Sequence, residues 1–249
     1  MTKPPMKTVG HKDDSTFEYK LIDFFTNQWQ TLATLVILAI VISGGIVSYR
    51  YFERSKEKQA QEQLYVLQKA LKDKTKEIDQ TAAKVPAQTK TPETLVKNYG
   101  DILPKFTTFI GDHEGRKAAY MAAIQVASLA VDYKDFARAE NILKMVINMP
   151  SRHDVFWDLV NGQYTGVLIQ EGKCEQAIPI LKEIANSKPH AFFQAHALLR
   201  LGACYIKTKS YNKAEDAFVR IQTDFPQSEA ALEARDLKRL ILIRRGQKS

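Results

Sequence analysis

Residues 195–226 read AHALLRLGACYIKTKSYNKAEDAFVRIQTDFP, and the spacing inside this stretch decides the fold. Its apolar residues recur at three and four positions, which marks amphipathic helices. Tyr211-x-x-Ala214 opens a second helix, and Phe218 and Ile221 follow that alanine four and seven residues on. Gly202 stands twelve residues before Ala214, and Pro226 closes the stretch. A small residue in each helix lets the two approach closely, and the large side chains fill the groove beside the crossing. A proline ends the second helix because it cannot extend the hydrogen-bond ladder.

Working outward, the same arrangement occurs twice more. Phe136-x-x-Ala139 and Cys174-x-x-Ala177 are followed at four by Leu143 and Leu181, and at seven by Val146 and Ile184. Ala127 and Thr165 stand twelve residues before, and Pro150 and Pro189 close these units. One hairpin cannot bury its apolar face, so the units must stack into a solenoid. The tail at 228–245 reads as a capping helix with a polar face. Longer connections than usual are expected at 151–156 and 190–193.

This pattern resembles the tetratricopeptide repeat (TPR), best in the third unit, then in GQYTGVLIQEGKCEQAIPILKEI and AIQVASLAVDYKDFARAENIL. The fold class expected is all-α: one N-terminal transmembrane helix followed by a TPR-like α-solenoid of helix hairpins. Residues 115–249 form the repeats and cap.

The transmembrane expectation rests on an uncharged run from Asn27 to Tyr49, centred on TLATLVILAIVISGGIVSY. About 20 apolar residues at 1.5 Å rise cross a hydrocarbon core of about 30 Å. Trp29 at one end and Tyr49, Tyr51 and Phe52 at the other fit the aromatic belts. A cleaved signal peptide would have a short basic start and a small-residue cleavage site. This leader carries acids, so residues 29–51 read as an uncleaved signal anchor after a cytoplasmic segment at 1–28. Residues 52–114 read as membrane-proximal helices with a polar linker at 78–92. The helix at 93–110 should kink or break at Pro104, and the two helices could form an irregular capping pair.

The leader with its FFTNQW stretch, the anchor ending in Tyr49-Arg50-Tyr51 and the repeat domain together resemble the YfgM-type ancillary subunits of the bacterial SecYEG translocon. That resemblance implies an inner-membrane protein with a periplasmic repeat domain. Its partners would be translocon subunits, chaperones or emerging polypeptides. Flanking charge points the other way: Arg50, Arg54, Lys56 and Lys58 follow the run, and the positive-inside rule places them in the cytoplasm. A cytosol-facing TPR receptor therefore stands as an alternative, as does a structural scaffold for envelope assembly or division of the Tol-Pal or BamD kind.

The net charge of +8 suits acidic proteins, anionic headgroups or nucleic acid. It is spread along helices as solvated faces would be, and the aromatics fall at core positions, so no nucleic acid is expected. His11, His113, His153, His190 and His196 have no metal spacing, and His113-Glu114 lacks the second histidine of a zincin. No cofactor, metal, catalytic residue or small-molecule substrate is expected; Gly111–Lys117 reads as a turn between helices.

Two site expectations remain. The resemblance to TPR proteins implies a concave face drawn from the first helix of each unit, here Met121, Ile124 and Val131, then Leu159 and Ile169, then His196, Leu199 and Ile206. That apolar face is either a partner groove or core covered by the membrane-proximal helices. Cys174 and Cys204 lie on helices that should neighbour each other, so they could form a disulfide; otherwise each is a small buried hydrophobe.

Overall fold

The computed structural model describes residues 29–82, 89–187 and 191–246. The leader expected at 1–28, the part of the linker between Ala82 and Thr89, and Pro189 and His190 lie outside the described residues. Within them the chain is all-α: ten helices and no strand. It divides into two compact units at Lys56/Glu57.

The first unit holds the start of α1 (Trp29–Ala82). This helix is long and apolar enough to cross a membrane. Its apolar side chains point outward, with Ile40 and Val41 both 64% exposed. Polar groups in the stretch are satisfied inside the helix: Thr34 Oγ1 donates to the Gln30 carbonyl at 2.7 Å, and Ser43 Oγ to that of Ala39 at 2.6 Å. A spanning segment needs this, since lipid offers no partners.

In the second unit, α1 continues from Glu57 with a buried stripe at Ala60, Leu64 and Leu71, supported by Leu67 and Ile78. The steps of three and four place these residues on one face. The helix runs to Ala82, so the polar linker expected from 78 starts later. Then come α2 (Pro92–Tyr99) and α3 (Leu103–Asp112). Thr91 and Thr94 form a capping box at the start of α2. The break expected near Pro104 falls at 100–102 instead. Pro104 itself sits in the first turn of α3, where its missing N–H costs nothing.

Three hairpins follow: α4 (Lys117–Asp132) with α5 (Phe136–Lys144), α6 (Val155–Gln170) with α7 (Cys174–Ala185), and α8 (Ala191–Lys207) with α9 (Tyr211–Asp224). Helix α10 (Glu229–Gly246) closes the row, burying Ala230, Ala231, Ala234 and Ile241. Four positions of the repeat pattern are in the core in all three hairpins: Ala127, Thr165 and Gly202; Ala139, Ala177 and Ala214; Leu143, Leu181 and Phe218; Val146, Ile184 and Ile221. The loop expected at 190–193 is corrected, since α8 is helical from Ala191 and Val155 and Phe156 belong to α6.

The turn inside each hairpin repeats one conformation. Lys134, Gly172 and Lys209 have φ of 60°, 77° and 59°. The next N–H donates back to the first helix each time: Asp135 to Ala130, Lys173 to Leu168 and Ser210 to Tyr205, all at 2.8 Å. These are Schellman-type helix ends, which require a left-handed residue. Between the first two hairpins, Glu140 is buried and meets Lys144 at 2.6 Å and Lys173 at 2.7 Å. Lys144 first, then Lys173, hold its carboxyl down to about 2.

Candidate partner-binding groove

The first helices of the hairpins lie side by side and in parallel. Gln163 of α6 donates to Ser128 of α4 at 3.2 Å. Arg200 and Lys207 of α8 donate to the carbonyls of Gly162 and Ile169 on α6, at 2.6 and 3.1 Å. Helix α1 joins this row ahead of α4. Gln68 donates to Gln125 at 3.1 Å, and the Glu57 carboxylate accepts from the backbone of Lys117 at 3.2 Å and Ala118 at 3.1 Å. Both contacts advance together along the two chains, so α1 also runs parallel to α4. It occupies the place of a first helix beside α4, and its Thr75 hydroxyl lies 3.3 Å from the Tyr99 hydroxyl of α2.

Met121, Leu159 and His196 stand at one equivalent place, six residues before Ala127, Thr165 and Gly202. The structure leaves all three exposed, Met121 at 44% and Leu159 at 37%. Ile124, Val131, Ile169 and Ile206 are half-buried and pack against the core. Leu199, expected on the groove, is 8% exposed and is a core residue. It lies one helical step from the exposed face, and packing between α8 and its neighbours claims it.

A cavity of about 310 Å³ opens between α6 and α8. Leu181 and Ile184 of α7 form its buried floor; Leu159, Phe192 and His196 stand at its mouth. Asp158, fully buried, and Arg200 also line its wall. Such a site accepts an apolar body and can orient a polar group. Phe192, 76% exposed, belongs to the first turn of α8 rather than to the loop expected at 190–193, and the sequence does not mark it as part of the face. Its equivalence to Val155, which is 39% exposed, is the signal that finds it.

At the C-terminal end of α8, Cys204 is paired with Cys174 at the start of α7 as a disulfide, with Cα atoms 5.2 Å apart. Both residues are buried. Among the described residues no cluster of three metal-ligating side chains occurs.

Neither a curated protein nor a solved structure matches the chain. The sequence model of the tetratricopeptide repeat-like domain matches residues 23–239, and the chain belongs to that family.

Proposed function

We propose that the protein is a membrane-tethered adaptor of the bacterial inner membrane, ancillary to the Sec translocon and the periplasmic chaperones around it. TPR-like domains bind other proteins. The observation that carries the reading is the exposed Met121–Leu159–His196 ladder beside the cavity between α6 and α8. An apolar patch of this kind, left open in a folded domain, marks an interaction surface. The α1 anchor raises the local concentration of that surface at the membrane. The Cys174–Cys204 pair supports the periplasmic side, where disulfides persist.

The test is a photo-crosslinking residue at position 159 in intact cells, with the adducts identified. Translocon subunits, periplasmic chaperones or emerging chains are the expected adducts. Adducts only with envelope-assembly or division proteins would overturn the translocon assignment in favour of the scaffold.

Arg50, Arg54, Lys56 and Lys58 favour a second reading, a cytosol-facing receptor. Quenching the cells in acid and then alkylating the unfolded, unreduced protein separates the two. Unmodified Cys174 and Cys204 accord with the periplasm; full alkylation in unreduced samples establishes the cytosolic receptor.

A further inference from the structure

The charged side chains that follow the apolar stretch of α1 are used unequally. Glu57 is turned onto the start of α4, where backbone N–H groups hold it. Glu53 is half-buried and engaged in an interaction of its own. Arg50 and Arg54 are exposed, and among the described residues neither has an acidic partner. Lys56 is exposed as well, its ammonium 4.2 Å from the centre of the Phe52 ring. A stretch of mixed sign in the sequence thus presents uncompensated positive charge.

Depth gives that charge a partner. Arg50 is the first charge after the run that ends at Tyr49. Arg54 lies one turn on, about 6 Å further along the axis and on the same face. The headgroup layer on each side of a bilayer is about 5–8 Å thick, so both guanidinium groups fall within it. Tyr49, Tyr51 and Phe52 are 68%, 77% and 57% exposed at the same level, as aromatic side chains of the interface are. Guanidinium groups pair with phosphate through two parallel hydrogen bonds.

We infer that Arg50, Arg54 and Lys56 form a binding site for the phosphate groups of anionic phospholipids. The inference rests on α1 being a membrane anchor. An acidic protein segment would also answer the charge, but it would not account for the aromatic collar at headgroup depth. On this reading the basic cluster serves lipid selection, and it is compatible with a repeat domain outside the cytoplasm.

The experiment reconstitutes the full chain into vesicles of equal parts phosphatidylglycerol and phosphatidylcholine. The chain is excised with its surrounding lipid by a styrene–maleic acid copolymer, and the lipids are counted by mass spectrometry. Phosphatidylglycerol should be enriched several-fold over the bulk, since each basic residue at an anionic surface contributes about 1 kcal/mol, roughly a factor of five. The enrichment should fall at high salt and vanish in the R50Q/R54Q/K56Q variant, whose helical circular dichroism stays unchanged. Bulk composition around the wild type, or enrichment that survives in the variant, overturns the proposal. Enrichment abolished by inorganic phosphate but kept in sodium chloride of the same ionic strength makes free phosphate the ligand and also overturns it. So does a variant that loses a bound acidic protein in cells while its lipid ratio is unaltered. Release of the wild-type chain from vesicles by alkaline washing would instead sink the anchor, and the lipid site with it.

Discussion

A Cβ added to Gly202 would be driven into the ring of Phe218, the residue that fills the groove of its own hairpin. The other hairpins place Ala127 and Thr165 where Gly202 stands, and Leu143 and Leu181 where Phe218 stands. Volume is exchanged between the two positions of one crossing. Gly202→Ala should therefore destabilise the domain by roughly 1–3 kcal/mol, the usual cost of overpacking. The double variant G202A/F218L should recover most of that loss. Urea unfolding followed by circular dichroism reads both, and strict additivity of the two changes would refute the exchange.

Lys134 and Lys209 adopt the left-handed conformation that Gly172 adopts in the middle hairpin, and both are exposed. A side chain in that conformation costs about 1–2 kcal/mol, part of which glycine returns through the entropy of the unfolded chain. Lys134→Gly and Lys209→Gly should each stabilise by about 0.5–1 kcal/mol. Gly172→Ala should cost about 1 kcal/mol. Thermal unfolding midpoints that move the other way would remove the argument.

Glu57 acts as an N-terminal cap on α4 from a distance of about sixty residues, through Lys117 and Ala118. Glu57→Ala should cost about 1 kcal/mol, as losing a local cap does. Hydrogen exchange should quicken at the amides of Lys117 and Ala118 while those of α8 and α9 keep their protection. Uniform quickening would mean that the whole domain had weakened instead.

The Glu140 carboxyl, held at about 2 against an ordinary 4.5, stabilises the fold wherever it is ionised in both states. That contribution is complete above about pH 4.5 and is lost as pH falls from there toward 2, because the unfolded chain takes up its proton first. Glu140→Gln should lower stability near pH 7 and flatten its decline in acid. An unchanged slope of urea midpoint against pH in this variant would show that other carboxylates govern acid unfolding.

Much of this architecture could be read from spacing alone. Ala127, Ala139, Leu143 and Val146, with their counterparts, announce the crossings because small and large residues must alternate there. The use of α1 as a further first helix could not be read so. Its stripe from Ala60 to Ile78 specifies a helix face but not which neighbour covers it. Leu199 is hard to place for a related reason: each residue advances a helix by about 100°, so one step exchanges groove for core. The left-handed turns were hidden at Lys134 and Lys209, where lysine conceals what glycine announces at position 172.

The two bonds from α8 to α6 carry a further consequence. Arg200 reaches Gly162 and Lys207 reaches Ile169, both across a separation of 38 residues. One residue inserted between Gly162 and Ile169 would swing the second carbonyl about 100° around its helix and leave Lys207 without an acceptor. A length change inside a first helix therefore breaks the register that these two bonds share. The connection between Lys144 and Val155 lies outside that register, and so does the addition of a whole hairpin.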